Sequence, residues 1–461
     1  MSNPLQMIST SRSEPRLADA PGQPLSGRAV FLHSMGCRVN RFDAAQLRAE
    51  FLARGCTLAA PGEPYDLYVL NTCTVTHQAD AEARRLARRA KRKTPGATVA
   101  VTGCYAEVGP EALAAIPEID LVIPNRDKAE LVARIAVHAI GQPVDADAAG
   151  HGPDRSWGRD FIYGADALPP DPGGDTRLFL KVQEGCDVAC AFCIIPTARG
   201  RSRSMPVDGV VATIRAAERA GYREAVLAGI HLGGYGTDLP APTDFAGLLE
   251  AVLDQTAMPR IRFGSLEPWG LSERFVALFA SEPRLLPSLH LPLQSGSASV
   301  LRRMRRPCTP EFYRTQVERI LAAKPDLYLS TDVLTGFPGE SDAEFEEGFS
   351  FIESLPFSHL HVFPYSPRTG TPAAEFEDPV PPEVRKARSE RLIALSDAKR
   401  AEGLARQIGT VTRVLMEGDA HGHTHNNYLA RLTPQAEGRG GEIVPVRITG
   451  HDGDALLGVP A

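Results

Sequence analysis

Three cysteines, Cys186, Cys190 and Cys193, stand in a C-x3-C-x2-C array within Gly185-Cys186-Asp187-Val188-Ala189-Cys190-Ala191-Phe192-Cys193, directly after the apolar run 178–182. Three thiolates on one short loop can hold three irons of a [4Fe-4S] cube and leave the fourth iron open to another ligand. The alternatives are three buried thiols or a structural zinc loop, although zinc asks for a fourth ligand and usually for paired C-x2-C units. A second set is spread along the chain. Cys37 lies in Met35-Gly36-Cys37-Arg38-Val39-Asn40, Cys73 in Asn71-Thr72-Cys73-Thr74, and Cys104 in Thr102-Gly103-Cys104-Tyr105, each just past a short apolar, β-branched run. In an open parallel sheet, groups past the strand C-termini converge on one crevice. These three are therefore expected to meet and to hold a second cube with an open iron; the alternative is three small residues packed at strand ends. Cys56 and Cys308 match neither array and read as ordinary thiols.

The elements that must position these cysteines follow from hydrophobic periodicity. Strand-like runs at 29–33, 67–70, 98–101 and 120–123 alternate with helical patterns at 41–54, 77–93, 110–115 and 128–140, which describes a flavodoxin- or Rossmann-like parallel α/β domain. After a Gly/Asp/Pro-rich linker, strand-like runs at 178–182, 225–230, 261–266, 289–292, 327–334 and 359–363 alternate with helical patterns. Six β/α units with the cysteine loop on the first connection describe a partial (β/α)6 barrel, whose functional face is the strand C-terminal rim. Gly229, Glu267, Gln294 and Asp332 fall at that rim. Glycine lets backbone approach a cofactor closely, and the three polar side chains can bind hydroxyl or amino groups, ordinary capping being the alternative. Residues 381–409 are charged and helix-forming, and 411–461 carry short alternating runs between turns, the pattern of a small all-β barrel. His421, His423 and His425 alternate there and read as turn residues rather than as a metal site. The expected boundaries are a disordered leader 1–27, the α/β domain 28–141, a linker 142–175, the (β/α)6 domain 176–400 and the β-barrel 401–461.

Composition limits the setting. The chain has 461 residues, 43% of them hydrophobic and 23% charged, enough for about two to four globular domains. No 18-residue apolar run and no apolar segment in the leader is found, so neither a membrane span nor a secretory signal is expected. Eight cysteines, most of them in tight motifs, fit a reducing compartment, with the cytoplasm as default. A net charge of −6 argues against general nucleic-acid avidity, but local charge differs. Arg84, Arg85, Arg88, Arg89, Lys91, Arg92 and Lys93 share one helical segment, Arg302, Arg303, Arg305 and Arg306 flank Met304, and Arg199, Arg201 and Arg203 alternate after the cysteine loop. The first run is either a solvated helix face or a phosphate-tracking surface.

The cysteine loop, with Phe192 just before its last cysteine, resembles the radical S-adenosylmethionine (SAM) superfamily. The ordered set of Gly36-Cys37 with Asn40, Asn71-Thr72-Cys73, Gly103-Cys104, the loop continuing as Ile194-Ile195-Pro196-Thr197-Ala198-Arg199-Gly200, His290 to Gly296, Thr335-Gly336-Phe337-Pro338-Gly339-Glu340 and a terminal TRAM-like barrel resembles the radical SAM methylthiotransferase family over nearly the whole chain. Lys181-Val182-Gln183-Glu184-Gly185-Cys186 and Arg199-Gly200-Arg201-Ser202-Arg203-Ser204 look like the branch that acts on N6-threonylcarbamoyladenosine in tRNA; the isopentenyladenosine and ribosomal-protein aspartate branches share the architecture. The resemblance implies two [4Fe-4S] clusters, on Cys37, Cys73 and Cys104 and on Cys186, Cys190 and Cys193. It further implies SAM near Phe192, Gly229, Glu267, Gln294 and Asp332, and insertion of a methylthio group at C2 of the adenine. The implied partners are the tRNA anticodon stem-loop, an external one-electron reductant such as flavodoxin or ferredoxin, a sulfur donor and iron–sulfur assembly machinery. Two rival readings fit much of the same pattern. A cobalamin-dependent radical SAM enzyme would share the α/β-plus-barrel plan, but its Asp-x-His-x-x-Gly motif is not found here; the other rival is a non-catalytic iron–sulfur RNA-binding protein.

Overall fold

A computed structural model describes residues 24–142, 176–418, 420–432 and 440–461; nearly all of the expected leader and linker lies outside them. The first five strands, β1 (Ala29–Ser34), β2 (Thr57–Leu58), β3 (Leu67–Thr72), β4 (Thr98–Gly103) and β5 (Leu121–Val122), form one parallel sheet in the order β2-β1-β3-β4-β5. That is the flavodoxin-like doubly wound order. All of β3 is buried, as a central strand covered on both faces must be. Sequence reading missed β2, whose two exposed residues carry no apolar signal. Helix α1 (Arg38–Ala53) follows β1, and α2 (His77–Lys93) follows β3. Thr76 caps α2 by accepting from the Ala79 amide, and Ala83, Ala87 and Ala90 form its buried stripe. The arginines are thereby turned outward. Helix α3 (Cys104–Val108) begins at the residue after β4.

The central unit contains β6 (Arg177–Lys181), the antiparallel ribbon of β7 (Gln183–Glu184) and β8 (Arg203–Ser204), and then β9 (Glu224–Ala228), β10 (Ile261–Phe263), β11 (Ser288–His290), β12 (Tyr328–Thr335) and β13 (His359–Pro364). The parallel sheets β6-β9-β10 and β11-β12-β13 are joined by parallel bridges between Ile261 and Leu285 and between Ser265 and His290. Six strands thus run in sequence order around an open barrel, as expected. Leu178, Leu180, Ala225, Leu227, Ile261 and Phe263 pack into one core with the surrounding helices. Because side chains alternate along a strand, Phe179, Val226 and Arg262 face the barrel lumen.

Helix Pro382–Ala405 packs along β13 and leads to β14 (Val411–Met416), β15 (His421–Thr424), β16 (Leu429–Leu432), β17 (Ile443–His451) and β18 (Leu456–Pro460), which close into a five-stranded barrel. This barrel docks on the (β/α)6 unit: Arg260 and Arg262 donate to the Thr424 carbonyl while both pair with the buried Glu224. The histidine expectation needs correction. His421 and His423 lie on β15, and their alternation is the period of a strand, not a turn. His423 bonds Glu417 at 2.8 Å, and His425, just past the strand, reaches Asp326 at 2.6 Å. No helix among the described residues is long and apolar enough to cross a membrane.

Candidate active site

The C-x3-C-x2-C loop is shaped by backbone rather than by side chains. Gly185 has φ +72°, and a Cβ there would fall 1.9 Å from the Arg201 carbonyl oxygen, so glycine is required where the loop leaves β7. The Cys186 amide donates to the Gly200 carbonyl, the Ala191 amide to the Met304 carbonyl, and Ala191 in turn accepts from the Ala373 amide. Buried Gln183 fixes the floor: its Oε1 accepts from the Ile230 and His231 amides just past Gly229, and its Nε2 donates to the Glu184 and Gly185 carbonyls. Phe192 packs on the cluster of Ala191, Val300, Met304 and Phe337. Burial pushes the Cys186 thiol up to about 11 and Cys193 up to about 12, with neighbouring cysteines of the loop adding to both.

The second set also meets. Cys37 stands at the N-cap position of α1 with its sulfur making no capping bond, Cys104 opens α3, and a Cβ on Gly36 (φ +87°) would lie 3.0 Å from the Cys73 sulfur. Burial raises Cys73 to about 11, and the nearby Cys104 and Cys37 push the same way. Asn40 and Asn71 brace the strand ends: Asn40 Nδ2 donates to the Met35 and Thr72 carbonyls, and Asn71 Nδ2 to the Asn40 carbonyl. Both sets therefore offer sulfur alone, mutually repelling as thiolates. That is the donor chemistry of a cube, whose cationic irons take thiolates at separate corners.

Facing the loop, the rim holds polar atoms in want of a partner. Glu267 is 8% exposed with Oε2 unpaired, and His231 Nε2 stands 3.6 Å away, also without a hydrogen bond. Burial raises the Glu267 carboxyl to about 7. Asp332 lies within β12 rather than past its end, pairing with His290 Nε2 at 3.2 Å; burial opposes its ionisation, but that pairing wins and holds it below the usual range. Gln294, at φ +77°, is stitched to β12 by its amide on the Asp332 carbonyl and its carbonyl on the Leu334 amide. Sequence reading gave His231 and His290 no role of their own and missed the function of Arg306, which stacks over Trp269 and approaches the Cys190 sulfur at 3.7 Å.

The two cysteine sets are joined by a buried ionic chain that sequence reading also missed. Arg199, fully buried at the end of helix Ile195–Arg199, pairs with Glu184 at 2.6 Å and donates to Asn40 Oδ1. Glu184 pairs with Lys181, and Lys181 and Lys128 both pair with Asp43 of α1. Nearby, Arg368 binds Asp80 and Thr74 beside Cys73. The Arg199 and Lys181 charges hold Glu184 down at about 2 against its burial, and Lys128 and Lys181 likewise hold Asp43 well below the usual carboxylate range. Replacing Arg199 with Met leaves Glu184 buried with one partner fewer, a loss of about 3–5 kcal/mol. Depressed carboxylates contribute stability that is complete above the ordinary carboxylate pKa and is lost as pH falls toward 2. Thermal melts of wild type and R199M should therefore differ most above about pH 4.5 and converge in acid; equal melts at pH 7 would show that the chain carries no such energy.

Two family models match the chain: the uncharacterized protein family UPF0004 over residues 29–124 and the radical SAM superfamily over residues 180–352. The chain is 36% identical to the threonylcarbamoyladenosine tRNA methylthiotransferase MtaB of Bacillus subtilis, over 91% of this chain and 93% of that protein. It is 35% identical to a tRNA-2-methylthio-N(6)-dimethylallyladenosine synthase of Anaeromyxobacter dehalogenans, over 96% of each. Among solved structures, the cobalamin-dependent SAM radical enzyme OxsB superposes with a TM-score of 0.52 at 14% identity, covering 76% of this chain and 55% of that one. That likeness is one of fold, and the chain spans about half of the solved enzyme.

Proposed function

The chain belongs to the radical SAM methylthiotransferase family, and we propose that it inserts a methylthio group at C2 of N6-threonylcarbamoyladenosine next to the tRNA anticodon, giving 2-methylthio-N6-threonylcarbamoyladenosine. Its cofactors are SAM and two [4Fe-4S] clusters. The observation that carries the reading is Arg199, which follows one all-sulfur triad in sequence, pairs with Glu184 before it and donates to Asn40 beside Cys37 of the other. Bound there, SAM and the cubes supply a carbon radical and a transferable sulfur, chemistry that an inert C–H bond requires and that the protein has to position and shield.

In this reading Cys186, Cys190 and Cys193 hold the cube that takes SAM, and Cys37, Cys73 and Cys104 hold the second. Phe192 and the backbone at Gly229 line the cofactor's place. Glu267, carrying an unpaired oxygen, suits the cationic amino group of SAM, whose approach would restore its ionised form. Gln294 and Asp332 face the cofactor's polar groups. Residues 28–141 carry the second cube, 176–400 the radical chemistry and 401–461 a docked TRAM-like barrel, with 1–27 a leader and 142–175 the linker. On α2, Arg88, Arg89 and Arg92 are exposed and make no ion pair with any described residue; we assign them to anticodon-stem phosphates. An anticodon-loop base leaves its stack more cheaply than one in a duplex, as access to a buried pocket demands. An external one-electron reductant such as flavodoxin or ferredoxin, a sulfur donor and iron–sulfur assembly machinery complete the partners, with the cytoplasm as the location.

The test uses anaerobically reconstituted enzyme with SAM, dithionite and anticodon stem-loops bearing either threonylcarbamoyl- or isopentenyladenosine. Mass spectrometry of the digested nucleosides should find the methylthio product on the first. Product confined to the isopentenyl loop would overturn the substrate assignment.

A further inference from the structure

Below the rim, the barrel lumen holds a second polar feature that the cysteine chemistry does not use. A cavity of about 190 Å³ is lined by Arg38 and Arg41 of α1, Arg177 and Arg262 of the (β/α)6 unit, and Phe179. His423 and Asn427 of the terminal barrel close it from a third domain. Its charge is only partly balanced. Glu417 takes Arg177, and Glu224 takes Arg262, whose buried Nη1 nevertheless has no partner. Arg38 and Arg41 make no ion pair with any described residue. Arg41 and Arg177 both stand over the Phe179 ring, at 5.0 and 5.5 Å from its centre. An aromatic faced by two guanidiniums, with a third buried guanidinium short of an acceptor, is built to take a flat anion, since guanidinium forks match carboxylate geometry.

We infer that this cavity receives the carboxylate of the threonylcarbamoyl substituent, and so selects the acidic N6 group over an apolar one. The inference rests on the substrate proposed above. Val226 lies three residues before Gly229 on the same run, which puts the cavity about 10 Å below the rim. The carboxylate of a threonylcarbamoyl group stands four bonds from N6, a reach of about 5 Å, so it meets these arginines when the base enters edge-on between the rim and the cavity. An isopentenyl group would instead leave the buried Arg262 Nη1 without an acceptor, a penalty of the kind that gives strong discrimination.

The test is anaerobic binding of the reconstituted holoenzyme to four anticodon stem-loops that differ at one base: threonylcarbamoyladenosine, its methyl ester, isopentenyladenosine and adenosine. Wild type should bind the free acid at least tenfold more tightly than the ester or adenosine, a comparison that needs no variant. R41Q should bring the acid to within about threefold of the ester, leave the ester and adenosine loops unchanged, and retain full iron content; R41K should keep part of the preference. Equal affinity of wild type for acid and ester overturns the inference. So does equal weakening of every loop by R41Q, which would make Arg41 a phosphate contact. If the acid loop is methylthiolated without being preferred to its ester, only the carboxylate site fails; if the isopentenyl loop alone is methylthiolated, the substrate reading has failed instead.

Discussion

Alanine at Cys186, Cys190 or Cys193 should abolish release of 5′-deoxyadenosine from SAM while leaving the fold intact. The loop does not depend on its sulfurs for shape. Its entry is set by Gly185, its middle by the amide and carbonyl of Ala191, and its floor by Gln183. The Cys186 sulfur accepts a hydrogen bond from the Val188 amide at 3.4 Å, so truncation costs little packing. A cube left with two protein thiolates is poorly retained, and about half of the bound iron should be lost. The paired measurement is iron content and deoxyadenosine release under dithionite, both relative to wild type. Normal release by any of the three variants would remove this loop from the chemistry.

The cysteines were legible because each carries its own local context. A glycine, a strand end and a sulfur recur at Gly36-Cys37 and Gly103-Cys104, and parallel-sheet topology then brings the crevice together without knowledge of any side-chain contact. The positions of the longer strands and the six-unit barrel were legible for the same reason, periodicity being a local property. What joins the two sets was not. Arg199 and Asn40 are 159 residues apart, and Lys181 and Asp43 are 138 apart, so no spacing rule relates them. One hint stood in the sequence: Lys181 interrupts the apolar run 178–182, and a lysine in a strand that is otherwise buried must find an acid.

Charge counting fared less well than periodicity because it ignores direction. Arg302, Arg303, Arg305 and Arg306 read as one basic cluster, yet Met304 among them is fully buried and the turn sends them apart. Arg303 folds back onto Glu344 and the Gly339 carbonyl, whereas Arg306 enters the rim over Trp269. The arginines of the lumen cavity come from three separate stretches of sequence and form no run at all. Conversely, α2 presents its arginines outward because alanines occupy its buried stripe, and there the linear reading and the surface agree.

The second large effect separates the two triads. C73A should lose about half of the bound iron and all methylthio transfer, yet continue to release deoxyadenosine from SAM. The reasoning is spatial. Cys73 follows β3 and lies beside Gly36, while Glu267, His231, Asp332 and the Cys186 loop all belong to the (β/α)6 unit. Nothing that would hold SAM is removed with Cys73. The strand end should also survive: Thr72 Oγ1 donates to the Thr102 carbonyl and accepts from the Tyr105 amide, and Asn40 holds the Thr72 carbonyl. Losing one buried sulfur costs a cavity smaller than that of a leucine truncation, so well below about 3 kcal/mol. The assay therefore pairs deoxyadenosine with modified nucleoside on threonylcarbamoylated tRNA, and a wild-type-like melt certifies the fold. Full product from C73A would refute a second cube as the source of sulfur. Loss of both products together with a lowered melt would make Cys73 a packing residue of the N-terminal domain, whereas uncoupled SAM cleavage on an intact fold leaves the Cys37, Cys73 and Cys104 triad as the site from which sulfur is delivered.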